Sequence, residues 1–226
     1  MGTRMRLATI PTLPLQNENH RLVRMIFKRT DLLSSSILAV EQSTYFATGQ
    51  SPVHAEDDSE EIIYFRKGTG RVLLGTNYVD VSPGSAVPIT KGIEHHVVNS
   101  GEDVLEHILI SADISKAAPE ISAPPATGDY LLRRESSGLE RLSCRKVVVD
   151  EGQTTSRISF PGRESVYAIS SGFAVGHIGL LGGDYEWQYA FDSSHCFWLP
   201  PGLPHYFRNV GDCPLHMTNF LCVTGG

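Results

Sequence analysis

The sequence predicts an all-β chain built as two tandem jelly-roll β-barrels, and three observations lead there. Short apolar runs alternate with turn signals from Ser36 to Val223, at the spacing of a sandwich or barrel. The 21 Gly and 13 Pro are scattered along all 226 residues, which suits many short strands joined by turns. The second half also repeats the first: at an offset of 110, Gly92 meets Gly202, His95 meets His205, Asn99 meets Asn209, Gly101 meets Gly211 and Leu105 meets Leu215. A repeat on this scale makes two copies of one fold the expected arrangement, each near the commonest domain size.

The elements follow in order. Residues 1–35 mix Pro11, Pro14, Asn17 and Asn19 with the apolar run Leu22 to Phe27, and read as an arm and first strand, of the kind that often crosses to a partner subunit. Residues 36–112 form the first barrel, with strands at Ile37 to Gln42, Ile62 to Phe65, Arg71 to Leu74, Tyr78 to Val81, Ala86 to Ile89, Val97 to Asn99 and Leu105 to Ile110. Turns fall at Gly68-Thr69-Gly70, Gly75-Thr76-Asn77 and Ser82-Pro83-Gly84. Residues 113–141 shift to Ala, Pro, Ser and charge and read as a linker, with one helical turn around Tyr130 to Arg134. Residues 142–226 form the second barrel, with strands at Cys144 to Val149, Val166 to Ile169, Phe173 to Ile178, Phe197 to Leu199 and Leu215 to Val223.

Composition narrows the function. A formal charge of -6 and a pI near 5.8 argue against nucleic acid or an anionic membrane as partner, since both call for a clustered basic face. The longest apolar stretches, such as Ile108-Leu109-Ile110, are too short for a membrane span, and no apolar core marks a secretory signal. The expectation is a soluble cytoplasmic protein, a homodimer that takes a small-molecule substrate. Cys144, Cys196, Cys213 and Cys222 form no closely spaced pair and read as small buried hydrophobes.

The segment His54-Ala55-Glu56-Asp57-Asp58-Ser59-Glu60-Glu61, with Gly68 beyond it, resembles the first motif of the cupin superfamily. Pro83-Gly84, then Gly92, His95 and Asn99, resembles the second. The resemblance implies that both motifs lie on neighbouring strands of a barrel and point metal ligands into its mouth. It nominates His54, Glu56, Glu61 and His95, with Glu56 standing where most metal-binding members have His.

The spacing has a physical sense of its own. Residues two apart on a strand face the same way, so His54 and Glu56 can reach one ion, and a turn through Asp57 to Ser59 returns Glu61 across from them. Imidazoles and carboxylates together suit Fe(II) or Mn(II), the favoured ions here, while Ni(II) and Zn(II) also fit. Glu61, or Glu56 if unbound, is the candidate general base. Five carboxylates among six residues can equally be a solvated acidic loop. Alternation turns His96 away from His95, and His107 could line the barrel or simply sit in the core.

In the second copy, Leu199-Pro200-Pro201-Gly202-Leu203-Pro204-His205 through Asn209 keeps the second motif, but the first has decayed. Its early ligand positions fall in Arg157-Ile158-Ser159-Phe160, with Glu164-Ser165 opposite Glu61. His205, even with Glu164, is expected to be hydrogen-bonded structure, because one or two ligands cannot hold a divalent ion against water. His177 and His195 are the substitutes to check. The resemblance implies a metal-dependent enzyme in which two oxygens of a hydroxy or keto acid, enol or phenol chelate the ion. A dioxygenase is the first expectation; an isomerase, decarboxylase, cyclase or hydrolase, or a non-catalytic binding module, is the alternative.

Overall fold

The computed structural model describes residues 5–18, 20–32, 36–121, 129–179 and 186–225. In chain order the strands are β1 (Arg6–Thr9), β2 (Gln16–Glu18), β3 (Arg21–Lys28), β4 (Ile37–Tyr45), β5 (Ser59–Lys67), β6 (Gly70–Leu74), β7 (Asn77–Val81), β8 (Ala86–Ile89), β9 (His95–Asn99) and β10 (Leu105–Asp113). They continue as β11 (Asp129–Leu132), β12 (Leu142–Val149), β13 (Arg163–Ser171), β14 (Ala174–Gly179), β15 (Glu186–Phe191), β16 (His195–Leu199), β17 (His205–Asn209) and β18 (Leu215–Val223). Two helical turns, α1 (Arg29–Leu32) and α2 (Arg134–Ser137), punctuate them. None of the described helices is long and apolar enough to cross a membrane.

A six-stranded sheet, β2-β3-β4-β10-β5-β8, and a three-stranded sheet, β7-β6-β9, make the first jelly-roll barrel. The sheets β1-β16-β13-β18-β12-β11 and β15-β14-β17 make the second. Strand β5 shows why the apolar runs look continuous. Its Ile63 and Phe65 enter the first barrel's core with Tyr45, Val72 and Leu105. Its Ile62 and Tyr64, on the opposite face, join Ile108 and Ile110 against Cys144, Val166, Trp198 and Phe220 of the second barrel. Both faces are buried, so the alternation of a one-sided sheet is lost.

Polar groups fix the same contact. Glu60, on the outward face of β5, accepts the backbone N–H groups of Glu140, Arg141 and Leu142 at 2.5 to 2.8 Å. Arg141 in turn donates to the carbonyls of Lys116, Val223 and Gly225 at 2.7 to 3.1 Å. The repeated asparagines work alike: Asn99 donates to the carbonyls of Tyr45, Phe46 and Asp103, and Asn209 to those of Val149 and Cys213. Each receives an N–H two residues on, from Gly101 or Gly211, at 3.0 Å. The motif asparagine therefore seals a loop on each barrel.

Several expectations change. Strand β1 of the arm pairs with β16 of the second barrel in the same chain, because that sheet leaves an edge within reach. The residues read as a helical turn form β11, which pairs with β12, and the turn comes one step later at α2. Cys213 is exposed, while Cys144, Cys196 and Cys222 are buried. Strand β15, largely exposed, was not among the expected strands.

Candidate metal centre

His54 precedes β5 in a loop, where it makes a two-residue antiparallel bridge with His95 at the start of β9. The His54 N–H donates to the His95 carbonyl at 3.2 Å and the His95 N–H to the His54 carbonyl at 2.8 Å. Directly opposed residues share a face, so the two rings lie together with centroids 4.3 Å apart. In both, Nδ1 lies beside the carbonyl two residues back, Pro52 for His54 at 3.1 Å and Ile93 for His95 at 3.0 Å. Donation from Nδ1–H leaves each Nε2 as the free lone pair, the arrangement that backs metal-ligating imidazoles.

Glu61 comes from β5, on the face that carries Ile63 and Phe65 into the barrel. Its Oε2 stands 3.4 Å from His95 Nε2, is buried, and makes no hydrogen bond among the described residues. Burial works against charge on His95. The Glu61 carboxylate beside it and the Ile93 carbonyl that accepts from Nδ1, with the charge of Glu56, outweigh it and raise the pKa. Glu56 sits at the rim, its side chain about half exposed and its Oε1 3.9 Å from His54 Nε2. The Gly92 N–H holds its backbone carbonyl at 2.8 Å.

The structure thus brings the four nominated residues together in pairs. Among the described residues, no three His, Cys, Asp or Glu side chains stand in an arrangement that could hold an ion. The donors fit a divalent cation in kind: a buried carboxylate oxygen without a partner and two imidazoles whose Nε2 atoms face carboxylates. The expected strand geometry for His54 and Glu56 is not seen, because residues 51–58 are loop apart from the single bridge at His54. Three residues deeper in the barrel, Arg21, Tyr45 and Glu41, were missed as site residues, and they stand around His107, which was weighed as a lining or core residue. Arg21 donates to the Tyr45 hydroxyl at 3.3 Å, and that hydroxyl lies 3.3 Å from His107 Nε2. Burial, aided by the Arg21 charge, pushes the His107 pKa down to about 3, so its ring is neutral. Burial also raises the Glu41 pKa, against Arg21 and with Glu61. The odd-numbered parity of β4 was the available signal, obscured because its other face is buried too. His96 faces away, 2.9 Å from the Tyr78 hydroxyl.

The second barrel differs at the matching positions. His205 forms the same bridge, but with Ile158 in the place of His54. Its Nδ1 lies 2.8 Å from the Leu203 carbonyl, and its Nε2 lies 2.7 Å from the Tyr167 hydroxyl. Glu164 cannot assist it: that carboxylate faces the core between the barrels, where the Trp198 indole N–H donates to it at 2.7 Å. His177 pairs with Tyr206 across β14 and β17, one residue out of step with His205, and its Nδ1 is 2.6 Å from Glu186. His195 is engaged by Asp192 at 2.8 Å.

The comparisons agree with the jelly-roll fold. Residues 44–111 match the family model of the cupin domain. No curated protein matches the chain in sequence. Bacillus subtilis oxalate decarboxylase, whose Mn(II) centres have been characterised, is similar in structure: in one form the TM-score is 0.80 at 14% identity, covering 99% of this chain and 78% of that one. The formate complex of Lactobacillus farciminis oxalate decarboxylase gives 0.78 at 12% identity, covering 97% and 86%. At such identities the likeness concerns the fold.

Proposed function

We propose that the first barrel binds a divalent metal ion, Mn(II) or Fe(II), and that the protein is a metal-dependent enzyme. Its substrate would be a small hydroxy or keto acid, on which it acts by proton transfer or carbon–carbon cleavage without oxygen insertion. The observation that carries this reading is the buried Glu61 Oε2, unbonded and 3.4 Å from the Nε2 of His95. A buried polar atom left without a partner is costly, and a cation is the partner that an imidazole–carboxylate set accommodates. When bound, the ion would supply Lewis acidity toward chelating substrate oxygens. His54, His95 and Glu61 would hold it. Glu56, half exposed at the rim, would exchange a proton with the substrate, since a carboxylate there is in reach of both substrate and solvent. Neutral His107 and Tyr45 would close the barrel behind.

Support comes from the oxalate decarboxylases that share the fold, of which the Bacillus subtilis enzyme has Mn(II) centres. The dioxygenase reading uses the same residues but gains nothing from them. The test is metal analysis of the purified protein, then an assay of small hydroxy and keto acids for CO2 release and for O2 uptake. Stoichiometric Mn or Fe, lost in the His54→Ala/His95→Ala variant, with turnover that consumes no O2, is expected. A protein that takes up no divalent ion would overturn the metal site; stoichiometric O2 uptake would restore the dioxygenase.

A further inference from the structure

We propose that the second barrel is an anion site, which takes a small carboxylate with an apolar tail and is anchored by Arg145. At an offset of 104, the first barrel's metal-site positions carry the opposite chemistry in the second: His54 becomes Ile158, Glu56 becomes Phe160, Glu61 becomes Ser165 and the interior Glu41 becomes Arg145. The strand pairing bears this out, since Glu41 lies opposite Leu109 on β10 and Arg145 opposite Asn219 at the matching place on β18. One copy has gathered carboxylates in its mouth, and the other has removed them and introduced a cation.

Arg145 is more than nine-tenths buried. Its Nε donates to Asn219 Oδ1 at 3.1 Å, and its guanidinium carbon lies 5.2 Å from the Phe160 ring centroid. Among the described residues no carboxylate forms an ion pair with it. A buried guanidinium lacking a carboxylate partner is costly, and beside the Tyr167 hydroxyl that it also engages, its terminal nitrogens offer a fork suited to a carboxylate. Arg145 borders a cavity of about 350 Å³, roomy enough for a small organic acid. Val147, Ile158 and Phe207 supply apolar wall, Lys146 adds a second cation, and Asp129 is the one acid among the lining residues. His205 leaves this site to Arg145. Burial drives its pKa down to about 4, so it is neutral and accepts the Tyr167 hydroxyl proton instead of offering charge.

The proposal stands apart from the metal reading and is tested without it. Benzoate, with benzamide as its neutral counterpart and inorganic phosphate as a compact anion, is titrated into the full-length protein by calorimetry at low and high salt. Saturable benzoate binding is expected, weaker in high salt, with benzamide and phosphate at least about 10-fold weaker. The Arg145→Gln variant should lose about 10-fold or more in affinity, while His54→Ala/His95→Ala should bind benzoate as the wild type does. Val148 lines the same cavity and is exposed, so Val148→Glu leaves packing intact and should weaken benzoate by repulsion even if Arg145→Gln fails to fold. Absence of saturable benzoate binding, equal binding of benzamide, or wild-type affinity in a folded Arg145→Gln or in Val148→Glu overturns the site.

Discussion

His95 is the point where the first barrel's nominated residues meet, with the His54 ring packed against it and Glu61 at 3.4 Å. Glu61→Gln keeps the shape and removes the charge, so metal content by mass spectrometry should fall at least about 10-fold while the circular dichroism spectrum stays the same. Glu56→Gln should retain metal and lower kcat by about 100-fold, the range for a lost proton-transfer group. Single-residue chemistry also sets the acid limb of stability. His205 and His107 are held neutral, with pKa values near 4 and 3 against an ordinary 6.5. Above pH 6.5 both folded and unfolded chains carry neutral rings, and these residues contribute no pH dependence. As pH falls from 6.5 toward 4 the unfolded chain takes up protons that the fold refuses, so stability drops, by on the order of 3 kcal/mol for His205. His95, with its raised pKa, works in the opposite sense in the metal-free protein. Urea denaturation between pH 4 and 7 should show the loss, and His205→Phe should flatten it.

At the scale of elements, Glu60 joins β5 to the start of β12 through three backbone N–H groups. Glu60→Ala would leave those donors buried, at a cost of roughly 3 kcal/mol, measurable as a lower urea midpoint. The sequence presented Glu60 as one more carboxylate in an acidic run. Its role became visible only when β-sheet alternation put Glu61 inside the barrel and Glu60 between the barrels. Alternation was legible for His95 and His96, whose positions in β9 are fixed by the bridge to His54 and the contact with Tyr78. It was not legible for His54 and Glu56, where a loop replaces the expected strand.

Across the molecule, the two barrels share one apolar core, centred on Trp198 and Phe220 of one and Ile62 and Ile108 of the other. Neither half can unfold without exposing that surface, so calorimetry should show a single transition. Trp198→Ala should lower that transition without splitting it, at a cost of about 3–5 kcal/mol. Two separate endotherms would mean that the barrels are independent.

The sequence alone determined the all-β class, most of the strand pattern and the repeated barrel, and it nominated His54, Glu61 and His95 as donors. Each rests on local signals: alternating or apolar runs, turn glycines such as Gly68 with its positive φ, and identities at a fixed offset. Tertiary structure decided the rest. It placed strand β1 of the arm on the second barrel, turned Glu164 away from His205, and set Arg145 on the wall of the second barrel's cavity. These outcomes depend on which face of a doubly buried strand meets which neighbour, and an apolar run is the same string whichever way it turns.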